Sequence, residues 1–377
     1  KVAAQVVCVG SWFCMRPLTS TVVVLDGAAV RVQEQALRSI AKHVIAPLSA
    51  TAIATWQGEG AALDIGAIKS EYGIDAHLEP DVKPEDFITW DIPIVSKGLF
   101  KTVFYNAYTK YRSYERVKTL KFDWLVYTRS DLHWFANLPP RILWRNFSST
   151  VWVPDFADWG GIYDRMALVP RRYAEVFLQG PFRALVAPLP SLQALFGGEW
   201  VGSETLLHKV LVAAGAHFGS FPALAATRRC QQNVPECSSH MGRPEVVEDY
   251  SEWRYYHEYV DASYAARVAN LRGSKWFLSY GRRDISPGCW KEGNFEKKDC
   301  CIDRTSSQRL GCFDATNFYT YRRCCDMLPY MTVGHPDVSS CWSLSELNNL
   351  TYVTERDVLN MLPVSCLPTR RHYLSEP

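Results

Sequence analysis

The chain has 377 residues and a net charge of +2, with 47% hydrophobic and 21% charged residues. This length is enough for a large core, and it predicts two domains or one large domain with an appendage. The composition is that of a globular rather than a disordered protein, and the small net charge argues against a nucleic-acid partner. Because no apolar run approaches the roughly 18 residues of a membrane span, we expect no transmembrane segment within this chain.

The first third of the chain alternates between predicted strands and helices. We predict strands at Ala3–Val9, Ala50–Trp56, Ile74–Glu79 and within Phe122–Trp134, with helices between them at Gln33–Val44, Leu63–Tyr72 and Ser96–Leu120. Such alternation favours an α/β fold with a mainly parallel sheet and helices on both faces. Gly10 and Ser11 follow the first predicted strand, where nucleotide-binding α/β folds often begin their ligand site.

A charged tip follows the most apolar of these strands. Trp124 to Tyr127 read as a central strand, and Arg129, Ser130 and Asp131 come directly after it. Ligands in open α/β sheets bind just past the carboxyl ends of such strands, so Asp131 could hold a metal ion or a sugar hydroxyl. The alternative is that Asp131 only caps the following turn, with Arg129 solvating the strand end.

A polar loop lies between two further predicted strands, Thr150–Phe156 and Met166–Val169, the second of which leads into a helix. The loop groups small, acidic, basic and aromatic residues: Asp158, Trp159, Gly160, Gly161, Asp164 and Arg165. Paired glycines let a backbone approach a ligand closely. In the alternative interpretation this is a tight loop whose Asp164 and Arg165 pair with neighbours at the core edge.

The segment Gly202-Ser203-Glu204 opens another predicted helix, Thr205–Ala214. Ser203 is the expected N-cap, which places Glu204 in the first turn. An acidic residue there is explained by the helix dipole alone, unless it also faces a ligand.

Several common enzyme signatures are absent. The sequence contains no G-x-G-x-x-G after the first predicted strand and no G-x-x-x-x-G-K-[ST], so the usual dinucleotide and P-loop sites lose support. It also contains neither G-x-S-x-G nor H-E-x-x-H, which disfavours serine hydrolases and zinc proteases.

The chain resembles the GT-A type glycosyltransferases of algae, protists and large viruses over roughly residues 3–225. The resemblance is carried by three segments in this order: an R-x-D at a sheet end, DWGGIYDRMALVP and GSETLLHKVLVAAG. The resemblance implies a Rossmann-like GT-A sheet, a nucleotide-sugar donor and a glycan or glycoprotein acceptor. It implies that Asp131 stands at the second acidic position of the metal-binding D-x-D, for Mn²⁺ or Mg²⁺. The first acidic position is Arg129, which cannot bind a metal but can neutralise phosphate. Either Asp131 alone suffices for an ion held largely by water and phosphate, or Arg129 partly replaces the metal.

The resemblance also implies roles for the remaining candidates. Gly10, Ser11, Arg129 and Asp131 would bind the donor, and the loop residues Asp158, Trp159, Gly160, Gly161 and Arg165 would bind the acceptor. Glu204, with Asp164 as the other candidate, would be the catalytic base if the enzyme inverts the anomeric configuration. A retaining enzyme would need no such base. The alternative is a catalytically inactive, glycosyltransferase-like extracellular protein that binds sugar or is structural.

Twelve cysteines are spaced unevenly, and eight of them lie between Cys289 and Cys366. Within this region the segment Cys289–Cys301 is similar to the segment Cys312–Cys325, and this repeat predicts a module held together by disulfides. Zinc binding is the less favoured alternative, because the C-x₂₋₄-C spacing of zinc ligands is missing. Cysteine density and sequons at Asn146 and Asn349 predict the secretory pathway, with the protein in the Golgi lumen or secreted. We predict a catalytic domain at 1–240, a helical connector at 241–280 and the cysteine-rich module at 281–377.

Overall fold

The computed structural model describes residues 20–58, 63–88, 97–154, 161–196, 202–228, 256–270, 274–279 and 330–334. The strands are β1 (Thr21–Ala28), β2 (Thr51–Gln57), β3 (Ile74–Glu79), β4 (Trp124–Arg129), β5 (Leu132–Trp134), β6 (Thr150–Pro154), β7 (Met166–Pro170), β8 (His217–Phe221), β9 (Ala225–Thr227), β10 (Lys275–Ser279) and β11 (Tyr330–Gly334). Nine of these described strands form one sheet, in the order β10-β11-β8-β6-β7-β4-β1-β2-β3, and β5 pairs with β9.

The helices are α1 (Glu34–Ile40), which continues through a π-helical turn (Ala41–Ile45) into α2 (Ala46–Leu48), then α3 (Ile65–Tyr72), α4 (Lys97–Val117), α5 (Arg141–Trp144), α6 (Arg171–Val186), α7 (Leu189–Phe196), α8 (Ser203–Ala213) and α9 (Tyr256–Asn270). Short 3₁₀ turns lie at Ala29–Arg31 and Pro84–Asp86. Among the described segments, none forms a helix with the length and apolarity that a membrane crossing requires.

The sheet is mixed but mainly parallel. β1 lies between β2 and β4 and is parallel to both, and β3 extends this parallel set beyond β2. β7 runs antiparallel to its neighbours β4 and β6, whereas β6 and β8 are parallel. The helices α4 and α6 contact the sheet through β1, β2, β4 and β7. The α/β class with a mostly parallel sheet flanked by helices is thereby confirmed.

β1 is the principal element that our sequence analysis did not assign. Its residues Val22 to Leu25 are at most 1% exposed, because both neighbouring strands and the packed helices cover them. A fully covered parallel strand shows a continuous apolar run rather than alternation, and the VVVL run fits that pattern. The predicted first strand Ala3–Val9, with Gly10 and Ser11, lies outside the described residues.

The other predicted elements agree closely with the structure. The strand Ile74–Glu79 is confirmed to the residue, and Gly73 ends α3 with a positive φ of 68°, which glycine adopts without strain. The prediction that Ser203 caps α8 is wrong. Gly202 is the N-cap, and its N–H donates to Thr205 Oγ1 at 2.8 Å, so Ser203 is already the first helical residue.

The core explains much of the tryptophan content. Trp56, Trp134, Trp144 and Trp152 are fully buried, and Trp152 packs so closely on Gly219 that a Cβ there would lie 2.4 Å from its ring. The aromatic composition therefore reflects core packing in the described part of the chain rather than exposed sugar-stacking surfaces.

Two strands of the sheet come from segments far along the sequence. β10 lies in the predicted connector and β11 in the predicted cysteine-rich module, and the two pair antiparallel at the sheet edge beside β8. All twelve cysteines and both copies of the repeat lie outside the described residues. The disulfide module therefore stays a prediction, but residues 330–334 belong to the same sheet as the predicted catalytic domain.

Candidate functional site

The three segments that carry the resemblance meet at the carboxyl ends of β1 and β4. The N–H of Arg129 donates to the Arg165 carbonyl at 2.9 Å, which joins the strand tip to the polar loop. The N–H of Ile162 donates to the Glu204 carbonyl at 3.2 Å, which joins that loop to the first turn of α8. Segments that lie far apart in sequence are thus tied together by backbone hydrogen bonds.

β1 and β2 hold the strand tip from the other side. Asp26 is level with Arg129 in the parallel register, and its carbonyl accepts from the Ser130 N–H at 3.0 Å and from Ser130 Oγ at 3.1 Å. Trp56 Nε1 in turn donates to Ser130 Oγ at 2.5 Å. The turn at Ser130 is therefore fixed by two neighbouring strands, so Arg129 and Asp131 have defined positions.

Gly161 is explained by a close approach of two backbone segments. A Cβ at this position would lie 2.0 Å from the Glu204 carbonyl oxygen and 2.1 Å from its carbonyl carbon. The open side of this glycine therefore faces the first turn of α8 rather than a ligand. Its acceptor-binding role stays a prediction, but the contact gives Gly161 the function of seating the loop on α8.

Replacing Gly161 with alanine is expected to lower the free energy of unfolding by about 3 kcal/mol, the upper part of the overpacking range. Urea denaturation measures the loss. Gly66→Ala in α3 is the matched control: its Cβ would meet only the Asp64 carboxylate at 3.2 Å, and the expected change is below about 1 kcal/mol. Equal effects of the two substitutions would contradict the close approach.

Arg129 and Asp131 form a bidentate ion pair. Arg129 Nε donates to Asp131 Oδ1 at 2.9 Å, and Nη2 donates to Oδ2 at 2.5 Å. The side chains are 15% and 5% exposed. Burial alone would lower the pKa of Arg129, but the adjacent Asp131 charge raises it above its usual value. The guanidinium is therefore permanently charged, and both carboxylate oxygens are engaged.

This arrangement does not fit the expected Mn²⁺ or Mg²⁺. These ions need several oxygen ligands, and here both oxygens of Asp131 already accept from a cation. Across the described ranges, no group of three or more His, Cys, Asp or Glu side chains is placed to hold a metal. A divalent ion at Asp131 would also have to displace or repel the Arg129 guanidinium.

Arg165 is held from behind the site by Glu258 of α9. Arg165 Nη1 lies 2.9 Å from Glu258 Oε1, which also accepts from the Tyr163 hydroxyl, and the Thr227 N–H donates to Oε2 at 2.6 Å. Both ion-pair partners are almost fully buried, at 6% and 0% exposure. Burial, followed by the Glu258 charge, raises the pKa of Tyr163 well above its usual value. These contacts support Arg165 as an anchor of the loop; its acceptor-binding role stays a prediction.

Asp164 is oriented by two residues of α4. Asn106 Nδ2 donates to Asp164 Oδ2 at 2.7 Å, and Asn106 Oδ1 accepts from Lys110 Nζ. Lysine can only donate, so its ammonium group fixes the amide with Oδ1 towards Lys110 and Nδ2 towards Asp164. Lys110 is only 2% exposed, and its Nζ lies 4.7 Å from the centroid of the Tyr127 ring.

Tyr127 connects this pair to Asp26 at the end of β1. The Tyr127 hydroxyl donates to Asp26 Oδ1 at 2.6 Å, whereas Oδ2 of this buried carboxyl has no hydrogen-bond partner in the described part of the chain. Burial raises the pKa of Asp26, against the opposing effects of the Lys110 charge and the Tyr127 hydrogen bond. Polar side chains thus run from β1 through β4 and α4 to the loop.

Replacing Asn106 with leucine is expected to cost about 1 to 3 kcal/mol of stability, because Asp164 Oδ2 loses its donor and Lys110 loses its acceptor inside the protein. The measurement is the denaturation midpoint at constant m-value. Asn137→Leu is the control, since it removes an exposed hydrogen bond to His43 and should change stability by less than about 0.5 kcal/mol. A neutral Asn106→Leu would show that the amide does not hold Asp164.

Glu204 sits in the first turn of α8, as predicted. Glu204 is partly exposed. Burial first, and then the nearby Asp164 charge, raises the pKa of Glu204 to about 8, although Arg165 and Lys110 oppose the shift. With this pKa the carboxyl group can gain or lose a proton close to neutral pH.

The structure thus brings together Arg129, Asp131, Gly161, Asp164, Arg165 and Glu204, whereas Gly10, Ser11, Asp158, Trp159 and Gly160 lie outside the described residues. Asp26, Asn106, Lys110 and Glu258 were not predicted. A signal existed for Asn106 and Lys110, because their i, i+4 spacing places two polar residues on one face of α4. Neither a scan against protein-family models nor a search of the curated proteins finds a match for this chain.

Proposed function

We propose that this chain is a glycosyltransferase that moves a hexosyl or pentosyl group from a nucleotide-sugar donor to a glycan or glycoprotein acceptor. One observation carries the proposal: the three segments that resemble the GT-A enzymes are hydrogen-bonded to one another at the carboxyl edge of a mainly parallel sheet. Ligands of open α/β sheets bind at this edge. The finer GT-A assignment of the fold is part of the same proposal.

The site holds the charges that such a transfer needs. The sugar's anomeric carbon becomes positive as the bond to the diphosphate breaks, and the departing diphosphate gains negative charge. Arg129 and Arg165 bring two guanidinium groups to the site, and Asp164 and Glu204 bring two carboxyl groups. Cations beside the leaving group and a carboxylate beside the acceptor hydroxyl would both lower the barrier.

Glu204 is the group that we assign to proton transfer. Its raised pKa of about 8 lies close to the working pH of a cellular enzyme, which is where a general base is most effective. As the acceptor hydroxyl attacks the anomeric carbon, its proton would pass to the Glu204 carboxylate. Asp164, held by Asn106, would then bind the acceptor, and its charge would keep the pKa of Glu204 raised.

Release of nucleoside diphosphate from a panel of nucleotide sugars, with and without added sugar acceptors, tests the proposal. We expect slow hydrolysis of one donor by the full chain, and Glu204→Gln should retain donor binding but lose turnover. Binding is read separately as a thermal shift, since a ligand of the folded state raises the melting temperature by mass action. If no donor is hydrolysed or bound, the transferase proposal fails.

One observation favours the alternative, an inactive glycosyltransferase-like protein of the extracellular space. Both oxygens of Asp131 are engaged by Arg129, so the expected metal position is closed. A protein of this kind would bind free sugars or glycans without releasing nucleoside diphosphate. Its location in the secretory pathway is a proposal common to both functions, and it rests on the twelve cysteines and two sequons.

A further inference from the structure

Arg129 has donor capacity that its ion pair does not use. A guanidinium carries five N–H groups, and the pair with Asp131 engages Nε and Nη2. Within the described ranges Nη1 makes no hydrogen bond, and the side chain is 15% exposed while that of Asp131 is 5% exposed. The guanidinium therefore keeps N–H groups that the ion pair does not use, and its side chain is more exposed than that of its carboxylate partner.

The shape of the Arg129 guanidinium also suits an anion. The nearby charges are of both signs: Arg165 is positive, whereas Asp131 and Asp164 are negative. An oxygen-rich anion such as a diphosphate matches the planar, forked geometry of a guanidinium better than a divalent cation does.

We propose that Arg129 itself, fixed by its bidentate pair with Asp131, binds and neutralises the donor diphosphate, so that donor binding requires no divalent metal. This inference rests on the proposed function and specifies how that site handles its substrate. Asp131 then acts as the positioning residue for Arg129, which is the opposite of the role that a D-x-D motif implies. The step remains a displacement: the acceptor oxygen forms a bond to the anomeric carbon and gives its proton to Glu204, the anomeric C–O bond to the diphosphate breaks, and Arg129 stabilises the diphosphate oxygen that leaves.

The two interpretations predict opposite effects for Asp131→Asn. If Asp131 holds a metal, the amide weakens binding, because a neutral oxygen replaces a carboxylate. If Asp131 only orients Arg129, the amide oxygen still accepts a hydrogen bond, and the loss of a negative charge should tighten diphosphate binding by about three- to tenfold. Arg129→Met alone would take the charged partner from the buried Asp131 carboxylate. The double variant Arg129→Met/Asp131→Asn removes both charges and is the better test of the guanidinium.

The experiment is a titration of the full chain and its variants with UDP, GDP, ADP and CDP, by calorimetry, in EDTA and again in Mn²⁺. We expect binding of one nucleotide in EDTA, tighter binding by Asp131→Asn, and a loss of at least about a hundredfold in the double variant, with its melting temperature near that of the wild type. Binding that requires Mn²⁺ and fails in Asp131→Asn overturns this inference and leaves the proposed transferase intact. Absence of binding in both buffers, with no donor hydrolysis, overturns both.

Discussion

Replacing Glu258 with alanine is expected to lower the free energy of unfolding by about 3 to 5 kcal/mol, because the buried Arg165 guanidinium would lose the carboxylate of its ion pair. Glu258 is 0% exposed and accepts from the Arg165 guanidinium, the Tyr163 hydroxyl and the Thr227 N–H. All three donors would be left without this acceptor, and the carboxylate that ties α9 to β9 and to the loop would be gone.

Urea denaturation followed by circular dichroism measures this loss as a shift in midpoint at constant m-value. Glu258→Gln retains the shape and one oxygen acceptor, so a smaller loss of about 1 to 3 kcal/mol is expected. Glu175→Ala provides the surface control: its pair with Arg183 has side chains 48% and 62% exposed, and such pairs contribute at most about 1 kcal/mol. A loss below about 1 kcal/mol in Glu258→Ala would mean that Arg165 finds another partner.

The sequence predicted the local elements of this fold well, because their signals are local. Apolar runs and helical spacing identified β2, β3, β4 and α4 within a few residues, and Gly73 identified the end of α3. β1 was not predicted, because Ala3–Val9 has the same apolar pattern of a first strand and comes earlier in the sequence. The pairing of β11 with β8 had no local signal at all, because 110 residues separate Tyr330 from its partner Ser220.

The candidate site could be predicted only in part, because its residues have local sequence signals but their contacts do not. Four residues stand out because each lies at an end of a regular element or within two residues of one: Arg129, Asp131, Asp164 and Glu204. What they contact could not be predicted: Asn106 reaches Asp164 across 58 positions, and Glu258 reaches Arg165 across 93. The metal site expected at Asp131 is an example. An Asp at a strand end suggests a metal ligand, and only the structure shows that both of its oxygens pair with Arg129.

Glu204→Gln is expected to reduce the transfer rate by about 10² to 10⁴-fold, the usual contribution of a positioned general base. The kcat/KM of the wild type should rise with pH up to about 8, where the Glu204 carboxyl loses its proton, and the variant should show no such rise. Glu85→Gln removes an exposed carboxyl of the Pro84–Asp86 turn and should leave the rate unchanged. If the kcat/KM of the wild type does not rise with pH in this range, another group must transfer the proton.

Glu204→Gln should also change how the free energy of unfolding depends on pH, which can be measured without any turnover. The pKa of Glu204 is raised to about 8 in the folded protein from 4.5, so between these values the folded state binds more protons than the unfolded state. Stability therefore falls as pH rises through this window, by up to about 1.4 kcal/mol per pH unit. Glutamine is neutral in both states, so the variant should match the wild type at about pH 4 and exceed its stability above about pH 8. Taking the difference between the two proteins cancels the other titrating groups, and a difference that does not change with pH would show that the Glu204 carboxyl titrates normally.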